Sequence, residues 1–303
     1  MIFPPTDSAT TAFLPAAEYD LAGTLAGGQA FRWEARAGWW EGVVHGRWVR
    51  LRRVAEGLQA QVAIPVPDWE WLRGYLRLED DLPAILAAFP DDPPLQAAVR
   101  ACRGLRLLRQ EPWECLASFM LSATKQIVQI RQCVELLGTR FGEPVAVPPG
   151  HPPAHAFPSP ARLAAVTEAG LRACKTGFRA PRLHAAAEAV ATGRLDLEAL
   201  RRLPCPAARA ELMRLAGVGR KIADCVLLFA YGFQEAFPVD VWVLKALRGL
   251  YFPRRRPPPA RLRRFAETHF GPFAGYAQQY LFPHIRRQAG RGPDSSPGGT
   301  AEK

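Results

Sequence analysis

The chain has 303 residues, 49% of them hydrophobic, which is enough apolar material for one large or two ordinary folded domains. No apolar run has the length of a membrane span, and the N-terminus lacks the basic-then-apolar order of a signal peptide, so we expect a cytoplasmic protein without membrane contact. The net charge of +11 is concentrated in residues 201–290, which hold 16 basic and 5 acidic residues, whereas residues 1–200 hold 21 of each. This concentration favours a polyanionic partner over the alternative of a generally arginine-rich composition from a GC-rich genome.

The first 104 residues are predicted to form a β-containing domain. Residues 27–53, GGQAFRWEARAGWWEGVVHGRWVRLRR, alternate apolar and polar side chains and are rich in Trp, Val and Gly. This pattern is typical of antiparallel strands joined by short turns. Residues 68–89 then predict one or two short helices.

Residues 105–288 have the apolar period of helices and predict a helical domain. Residues 144–160 contain seven prolines and predict a loop, and residues 289–303 predict a disordered tail. The fold class is therefore α+β: an N-terminal antiparallel β-sheet domain over 1–104, followed by an all-helical domain over 105–288. The predicted helices cover residues 113–121, 127–141, 160–174, 181–192, 195–203, 207–215, 221–231, 241–250, 259–270 and 275–287.

A Gly-Val-Gly turn between two apolar helices is the most informative local pattern. Gly217 and Gly219, on either side of Val218, permit positive φ and let another backbone come close. The free N–H groups and the dipole at the start of the second helix form an anion site, and in a basic region the expected anion is a nucleic-acid phosphate. We therefore assign the turn and the adjoining Arg220 to DNA binding; the alternative is an ordinary corner between two helices.

A lysine and an aspartate lie at the two ends of the segment that follows the turn. Lys221 is on the first turn of the second helix, and a neutral lysine amine is a nucleophile that can form a Schiff base; the alternative is a lysine that contacts phosphate or solvent. Asp240 can cap the next helix, and the same carboxylate can stabilise a sugar that becomes positively charged. Their separation of 19 residues, one helix plus a turn, allows the two groups to meet.

These residues resemble those of the helix–hairpin–helix DNA glycosylases of the Gly/Pro-Asp type, and in particular the 8-oxoguanine DNA glycosylase/AP lyase family. The resemblance spans most of residues 20–290, with the motifs in the family's order. It implies base excision repair of 8-oxoguanine in damaged duplex DNA, with Lys221 as nucleophile at C1′ and Asp240 as the stabilising carboxylate. The motifs are GGQAFRW (27–33), RLLRQEPWECLASFMLSAT (106–124), GFRAPRL (177–183), LAGVGRKIADC (215–225), FPVDVW (237–242) and GPFAGYAQQYLF (271–282).

The resemblance also implies a base pocket. Gly28 matches the glycine whose carbonyl accepts N7–H of 8-oxoguanine, which guanine lacks. Cys225 and Phe282 match the residues on either side of the flipped base, and Gln278 matches the residue that binds its Watson–Crick edge. Without the family, Cys225 and Phe282 are simply core positions and Gly28 is a turn glycine.

The sequence departs from the family's pattern at two places. The family's Asn-rich run is replaced by Ala123, Thr124, Lys125 and Gln126, and Gln129 stands where an arginine reads the opposite cytosine. Thr124, Lys125 and Gln126 are assigned to DNA binding, with Gln126 or Lys125 filling the gap in the duplex. Arg179 matches a second opposite-base contact. Trp242 replaces a histidine beside the pocket and can stack on base or sugar. The preference for cytosine opposite the lesion therefore does not carry over from the resemblance.

The six cysteines form no CxxC pair and none follows residue 240, so we expect no disulfide framework, no zinc site and no C-terminal iron–sulfur cluster. The resemblance allows a monovalent cation on backbone carbonyls of the hairpin, and we expect no other cofactor. The protein is expected to act as a monomer at the nucleoid. Two alternatives stay open: a glycosylase for broader or alkylated bases, and a DNA-binding module that uses the hairpin without catalysis.

Overall fold

The computed structural model of the protein describes residues 10–288, and the tail predicted over 289–303 lies outside the described residues. Five strands near the N-terminus pair in an antiparallel sheet, and two very short strands pair further along the chain. The strands are β1 (Thr11–Pro15), β2 (Glu34–Arg36), β3 (Trp39–Val44), β4 (Arg47–Val54), β5 (Gly57–Val62), β6 (Pro144–Val145) and β7 (Ala154–His155). The order in the larger sheet is β1-β5-β4-β3-β2.

Helices make up most of the described chain after the sheet, so the predicted α+β fold is confirmed. They are α1 (Leu21–Ala26), α2 (Glu70–Leu76), α3 (Leu82–Ala87), α4 (Pro93–Ala101), α5 (Pro112–Leu121), α6 (Ile127–Phe141), α7 (Pro160–Ala164), α8 (Glu168–Arg172), α9 (Ala180–Ala191), α10 (Cys205–Met213), α11 (Arg220–Val226), α12 (Val241–Tyr251), α13 (Pro259–His269) and α14 (Ala274–Gln288). A π-helical turn, Leu227–Tyr231, continues α11. None of the described helices is long and apolar enough to cross a bilayer.

Three predicted elements differ in the structure. The single helix predicted over 160–174 is two helices, because the Thr167 side chain accepts the Gly170 N–H at 3.2 Å and starts α8 anew. The helix predicted over 195–203 is only a 3₁₀ turn, Ala199–Arg202. Residues 144–160 were predicted to form a loop, but two very short strands, β6 and β7, pair within this segment.

Two helices were not predicted, although their N-caps were readable. Asp20 caps α1 by accepting the Gly23 N–H at 2.8 Å. Asp92 caps α4 by accepting the Leu95 N–H at 2.6 Å, just before two prolines that favour a first helical turn.

The sheet and the helices have separate buried clusters, which meet at the turn of Gly27, Gly28 and Gln29, here called the GGQ turn. Trp33, Leu51 and Leu58 belong to the cluster under the sheet, whereas Phe31 belongs to the helical cluster. The helical cluster also takes in Leu82 from before residue 104, so packing continues across the predicted domain boundary, which itself stays a prediction.

Gln29 fixes the GGQ turn between the layers. Its fully buried amide donates to the Thr24 carbonyl at 2.9 Å and the Arg106 carbonyl at 2.8 Å, and it accepts the Leu108 N–H at 2.8 Å. Gln110 donates to the Gln29 carbonyl at 2.6 Å. Because buried amides must be satisfied, this network holds the neighbouring Gly28 against the helical layer.

Candidate active site

The hairpin between α10 and α11 contains only one glycine in the left-handed region. Gly217 has φ +88°, and a Cβ there would lie 2.5 Å from Cδ of Arg182. Gly219 has φ −88° and ψ 176°, so of the two hairpin glycines Gly217 alone adopts the positive φ that both permit. A Cβ on Gly219 would meet nothing within 4 Å, so this residue leaves the start of α11 open to an approaching backbone.

The other two hairpin residues differ in what they present to solvent. Val218 is 4% exposed and packs in the helical core. Arg220 is part of an ion-pair network: it pairs with Glu267 on α13 and lies 3.6 Å from the Asp224 carboxylate. The network ties the hairpin helix to α13.

Lys221 is held by a serine that the sequence did not single out. Its Nζ donates to Ser122 Oγ at 3.0 Å and lies 5.2 Å from the centre of the Phe119 ring. Ser122 Oγ itself donates to the Phe119 carbonyl at 2.6 Å. Because a hydroxyl has one proton, Ser122 can only accept from the lysine. A lone serine at a helix end carries no sequence signal for this contact, which joins residues 99 positions apart.

Asp240 caps α12 with one carboxylate oxygen. Its Oδ1 accepts the Trp242 N–H at 2.9 Å and the Val243 N–H at 2.8 Å. The sequence predicts that Asp240 caps the helix and that the same carboxylate stabilises a positively charged sugar. The cap uses Oδ1, while the residue also lines the cavities that contain Lys221, so the two roles are compatible.

A narrow cavity of about 40 Å³ brings together four of the five predicted pocket residues, and the fifth, Trp242, lines only the adjoining open cavity. It adjoins an open cavity of about 700 Å³, with which it shares Gly28, Phe119, Lys221, Asp240 and Phe282. The full lining of the narrow cavity is Gly28, Phe119, Lys221, Cys225, Phe229, Pro238, Asp240, Gln278, Gln279 and Phe282.

Gly28 is required by both its conformation and its surroundings. Its φ is +91°, and a Cβ would lie 2.8 Å from Cδ1 of Ile127 and 3.7 Å from Cε1 of Phe282. Any larger residue would therefore strain the turn and enter the space beside Phe282.

Cys225 and Gln278 contribute polar, uncharged side chains to the narrow cavity. Burial raises the pKa of the Cys225 thiol to about 12, against the opposing effect of the nearby Lys221 amine, so Cys225 is a neutral thiol at pH 7. The Gln278 side chain is 4% exposed and its Oε1 accepts from Gln279 Nε2 at 2.8 Å.

The open cavity is lined by more cations than anions. Lys125, Arg131 and Arg286 contribute to it besides Lys221, against the one carboxylate of Asp240. Arg131 and Arg286 were not predicted, because isolated arginines on helices carry no local signal. Trp242 lines the same cavity, and Lys245 Nζ lies 5.4 Å from the centre of its ring. The Arg286 guanidinium lies 5.3 Å from the centre of the Phe282 ring. The cavity mouth thus suits an anionic ligand.

The loop after α5 is stabilised by Arg179, which was predicted to contact the opposite base, and by Gln129, which stands in place of the family's base-reading arginine. Arg179 is 6% exposed and donates to the Ala123 carbonyl and, at 2.7 Å, to Thr124 Oγ1. Thr124 has φ +58°, a conformation that these contacts support. Gln129 Oε1 accepts the Gln126 N–H at 3.0 Å and so caps α6. Arg179 and Gln129 both bind within the chain, whereas Lys125 lines the open cavity.

No group of three potential metal-binding side chains occurs in the region 10–288 that the structure describes. In the hairpin, the Leu215 carbonyl accepts the Val218 N–H at 3.0 Å and retains a second lone pair. A monovalent cation in the hairpin stays a prediction.

Two family models together match most of the chain. The model of the 8-oxoguanine DNA glycosylase N-terminal domain matches residues 12–116, and that of the HhH-GPD superfamily base excision DNA repair proteins matches residues 117–272. The chain is 32% identical over 219 residues to a probable N-glycosylase/DNA lyase of Methanothermobacter thermautotrophicus, covering 66% of this chain and 69% of that protein.

Solved structures of similar proteins cover nearly the whole chain. MBOgg1 in complex with a low-affinity DNA ligand has a TM-score of 0.89 and 32% identity, covering 96% of this chain and 100% of the other. The 8-oxoguanine glycosylase/lyase of Clostridium acetobutylicum, bound to double-stranded DNA with cytosine opposite 8-oxoguanine, has a TM-score of 0.85 and 29% identity, covering 93% and 100%.

Proposed function

Since the chain belongs to the 8-oxoguanine DNA glycosylase family of the HhH-GPD superfamily, and is thus an N-glycosylase/lyase that acts on DNA, we propose that Lys221 and Asp240 carry out the reaction on a nucleotide flipped into the narrow cavity. The observation that supports this assignment most strongly is the lining of that cavity. It contains both groups together with Gly28, Gln278 and Phe282.

Lys221 acts as the nucleophile. Its nitrogen bonds to C1′ as the bond from C1′ to N9 breaks, and the electron pair of the broken bond leaves with the base. The amine loses a proton and the departing base gains one. The sugar ring then opens to an imine, and loss of a proton from C2′ expels the 3′ phosphate by β-elimination, which nicks the strand.

Asp240 stabilises the positive charge that develops on the sugar. Its Oδ1 is fixed by two backbone N–H groups, so the carboxylate needs no reorganisation as the charge forms. Ser122 is a positioning residue: by accepting one N–H of Lys221 it fixes the direction of the amine. The reaction needs no redox cofactor, and a cation in the hairpin would support phosphate binding.

The specificity for 8-oxoguanine is assigned to the GGQ turn and the two sides of the cavity. The Gly28 carbonyl accepts N7–H of the lesion and repels the lone pair of guanine. Cys225 and Phe282 contact the two faces of the base, and Gln278 binds its Watson–Crick edge. The narrow cavity of about 40 Å³ is too small for a purine base, so its lining must open as the base enters.

The hairpin between α10 and α11 and the loop between α5 and α6 bind the damaged duplex. The N–H groups at the start of α11 bind a phosphate, with Arg220 held beside them by Glu267. Lys125 and Gln126 contact the gap that the flipped nucleotide leaves. We further propose that the enzyme works as a monomer at the nucleoid.

The assay that tests this assignment compares base release and strand nicking on duplexes with one 8-oxoguanine or one alkylated purine. The wild type should release 8-oxoguanine and nick the strand, and Lys221→Gln should do neither. Lys175→Gln, a change at an exposed lysine outside this cavity, is the matched control and should retain both activities. Preferential release of the alkylated purine would favour the broader specificity, and no release of either would favour the DNA-binding module.

A further inference from the structure

Six arginines on and before α13 form a largely exposed basic surface, here called the arginine surface. They are Arg254, Arg255, Arg256, Arg261, Arg263 and Arg264. Residues 241–266 contain eight basic residues and no acidic residue. Within residues 10–288, none of the six lies in an ion pair. The surface therefore has a positive charge that the protein itself does not neutralise.

Many arginines elsewhere on the protein are paired with a nearby carboxylate. Arg172 pairs with Glu168 one helical turn away, and Arg201 pairs with Glu198 at 2.8 Å. Arg194 lies 3.1 Å from Glu188. A general enrichment in arginine would predict similar pairing on α13, so the unpaired charge is a local property of the arginine surface.

Helix α12 fixes the distance from the reaction centre to this surface. Its N-terminus is capped by Asp240, and it ends at Tyr251, just before Arg254. Eleven residues at a helical rise of about 1.5 Å give roughly 16 Å. That length corresponds to about five base pairs of duplex at 3.4 Å each.

The ion pair of Glu267 places the arginine surface beside the hairpin. Arg263 and Arg264 lie four and three residues before Glu267, so the three share one face of α13. Glu267 pairs with Arg220, the first residue of α11. The arginine face thus continues from the end of the hairpin.

We propose that the arginine surface binds the phosphate backbone of the duplex beside the lesion. Arginine binds phosphate oxygens in a bidentate manner, and such contacts hold the duplex in register without reading its sequence. This inference rests on the proposed function, because it uses Asp240 as the reference point. It adds a second anchor to the hairpin.

The first test measures the salt dependence of binding to undamaged duplex. Replacing Arg254, Arg255 and Arg256 together by Gln should lower the slope of log K against log salt by about 0.9 for each phosphate that the surface no longer neutralises. Affinity for lesion and undamaged duplex should fall by the same factor, while base release at saturating enzyme is unchanged. Arg194→Gln, which removes a paired arginine, is the control and should leave the slope unchanged. An unchanged slope in the triple variant would overturn the proposal.

A second test varies the length of duplex on each side of the lesion. The wild type should bind more tightly when one flank grows from about 3 to about 12 base pairs, roughly 10 to 40 Å, and the triple variant should gain much less. Equal gains in both proteins would contradict the proposal. Base release by the wild type is measured in parallel, so that failure of the proposed activity is distinguished from failure of the second anchor.

Discussion

Asp240 caps α12, and the proposed function gives the same side chain a role in catalysis. In Asp240→Asn the amide oxygen can still accept the two N–H groups that Oδ1 accepts now, and Asn caps helices about as well as Asp. The negative charge is lost. We therefore expect thermal stability near that of the wild type and base release slower by about 100-fold, measured in single turnover.

The matched variant is Asp240→Ala, which loses both the charge and the cap. It should be as slow as Asp240→Asn and, in addition, less stable by about 1 kcal/mol. Unchanged base release in Asp240→Asn would assign the residue to capping alone.

Ser122 tests whether the direction of the Lys221 amine matters. Ser122→Ala removes the acceptor at 3.0 Å, so we expect imine formation to slow by roughly tenfold without a change in duplex affinity. Ser122→Thr keeps the hydroxyl and should restore most of the rate. If Ser122 had a purely structural role, both variants would be less stable and would bind duplex DNA differently from the wild type, which a duplex titration measures.

At the scale of elements, the loop between α5 and α6 is the segment that we propose faces the base opposite the lesion. Arg179 supports this loop through Ala123 and Thr124, and Gln129 caps α6. A good bidentate contact discriminates against the wrong base by about 1–3 kcal/mol. Because Arg179 and Gln129 bind within the chain instead, we expect rates of 8-oxoguanine excision opposite C, A, G and T to differ by less than about fivefold.

Arg179→Ala should lower excision opposite all four bases by a similar factor, since the loop loses its support. A strong preference of the wild type for cytosine that disappears in this variant would show instead that Arg179 turns outwards to read the base.

Helix positions were predicted well where period and caps agreed, as for α6, whose bounds 127–141 match the structure. The meeting of Lys221 and Asp240 in one cavity was predictable, because the hairpin motif and a single helix connect the two residues. Long-range contacts were not: Ser122 meets Lys221 across 99 residues, and no local pattern encodes that approach. The Thr167 cap of α8, which is visible in the sequence, splits residues 160–174 into two helices, whereas apolar periodicity alone predicted one helix.

At the scale of the whole molecule, the sheet and the helices meet at a mostly buried carboxyl group. Glu114 on α5 lines a small cavity with Arg32. Burial raises its pKa to about 7, against the opposing effect of the Arg32 guanidinium. The folded protein therefore holds this proton more tightly than the unfolded chain does. The resulting stabilisation is complete below about pH 4.5 and is lost as the pH rises through about 7.

Glu114→Gln mimics the protonated form, so it should change thermal stability little at pH 5 and raise it at pH 8, by roughly 2 kcal/mol. Glu143→Gln, at an exposed position, is the control and should show no such dependence. A stability difference between Glu114→Gln and the wild type that is the same at both pH values would contradict this account.

The measurement that tests the central assignment most directly is borohydride trapping on an 8-oxoguanine duplex, followed by identification of the modified peptide. Reduction of the imine should leave a stable protein–DNA adduct whose sugar is attached to Lys221, and Lys221→Gln should give no adduct. No adduct with active wild-type protein, or an adduct on another amine such as Lys125, would contradict the account.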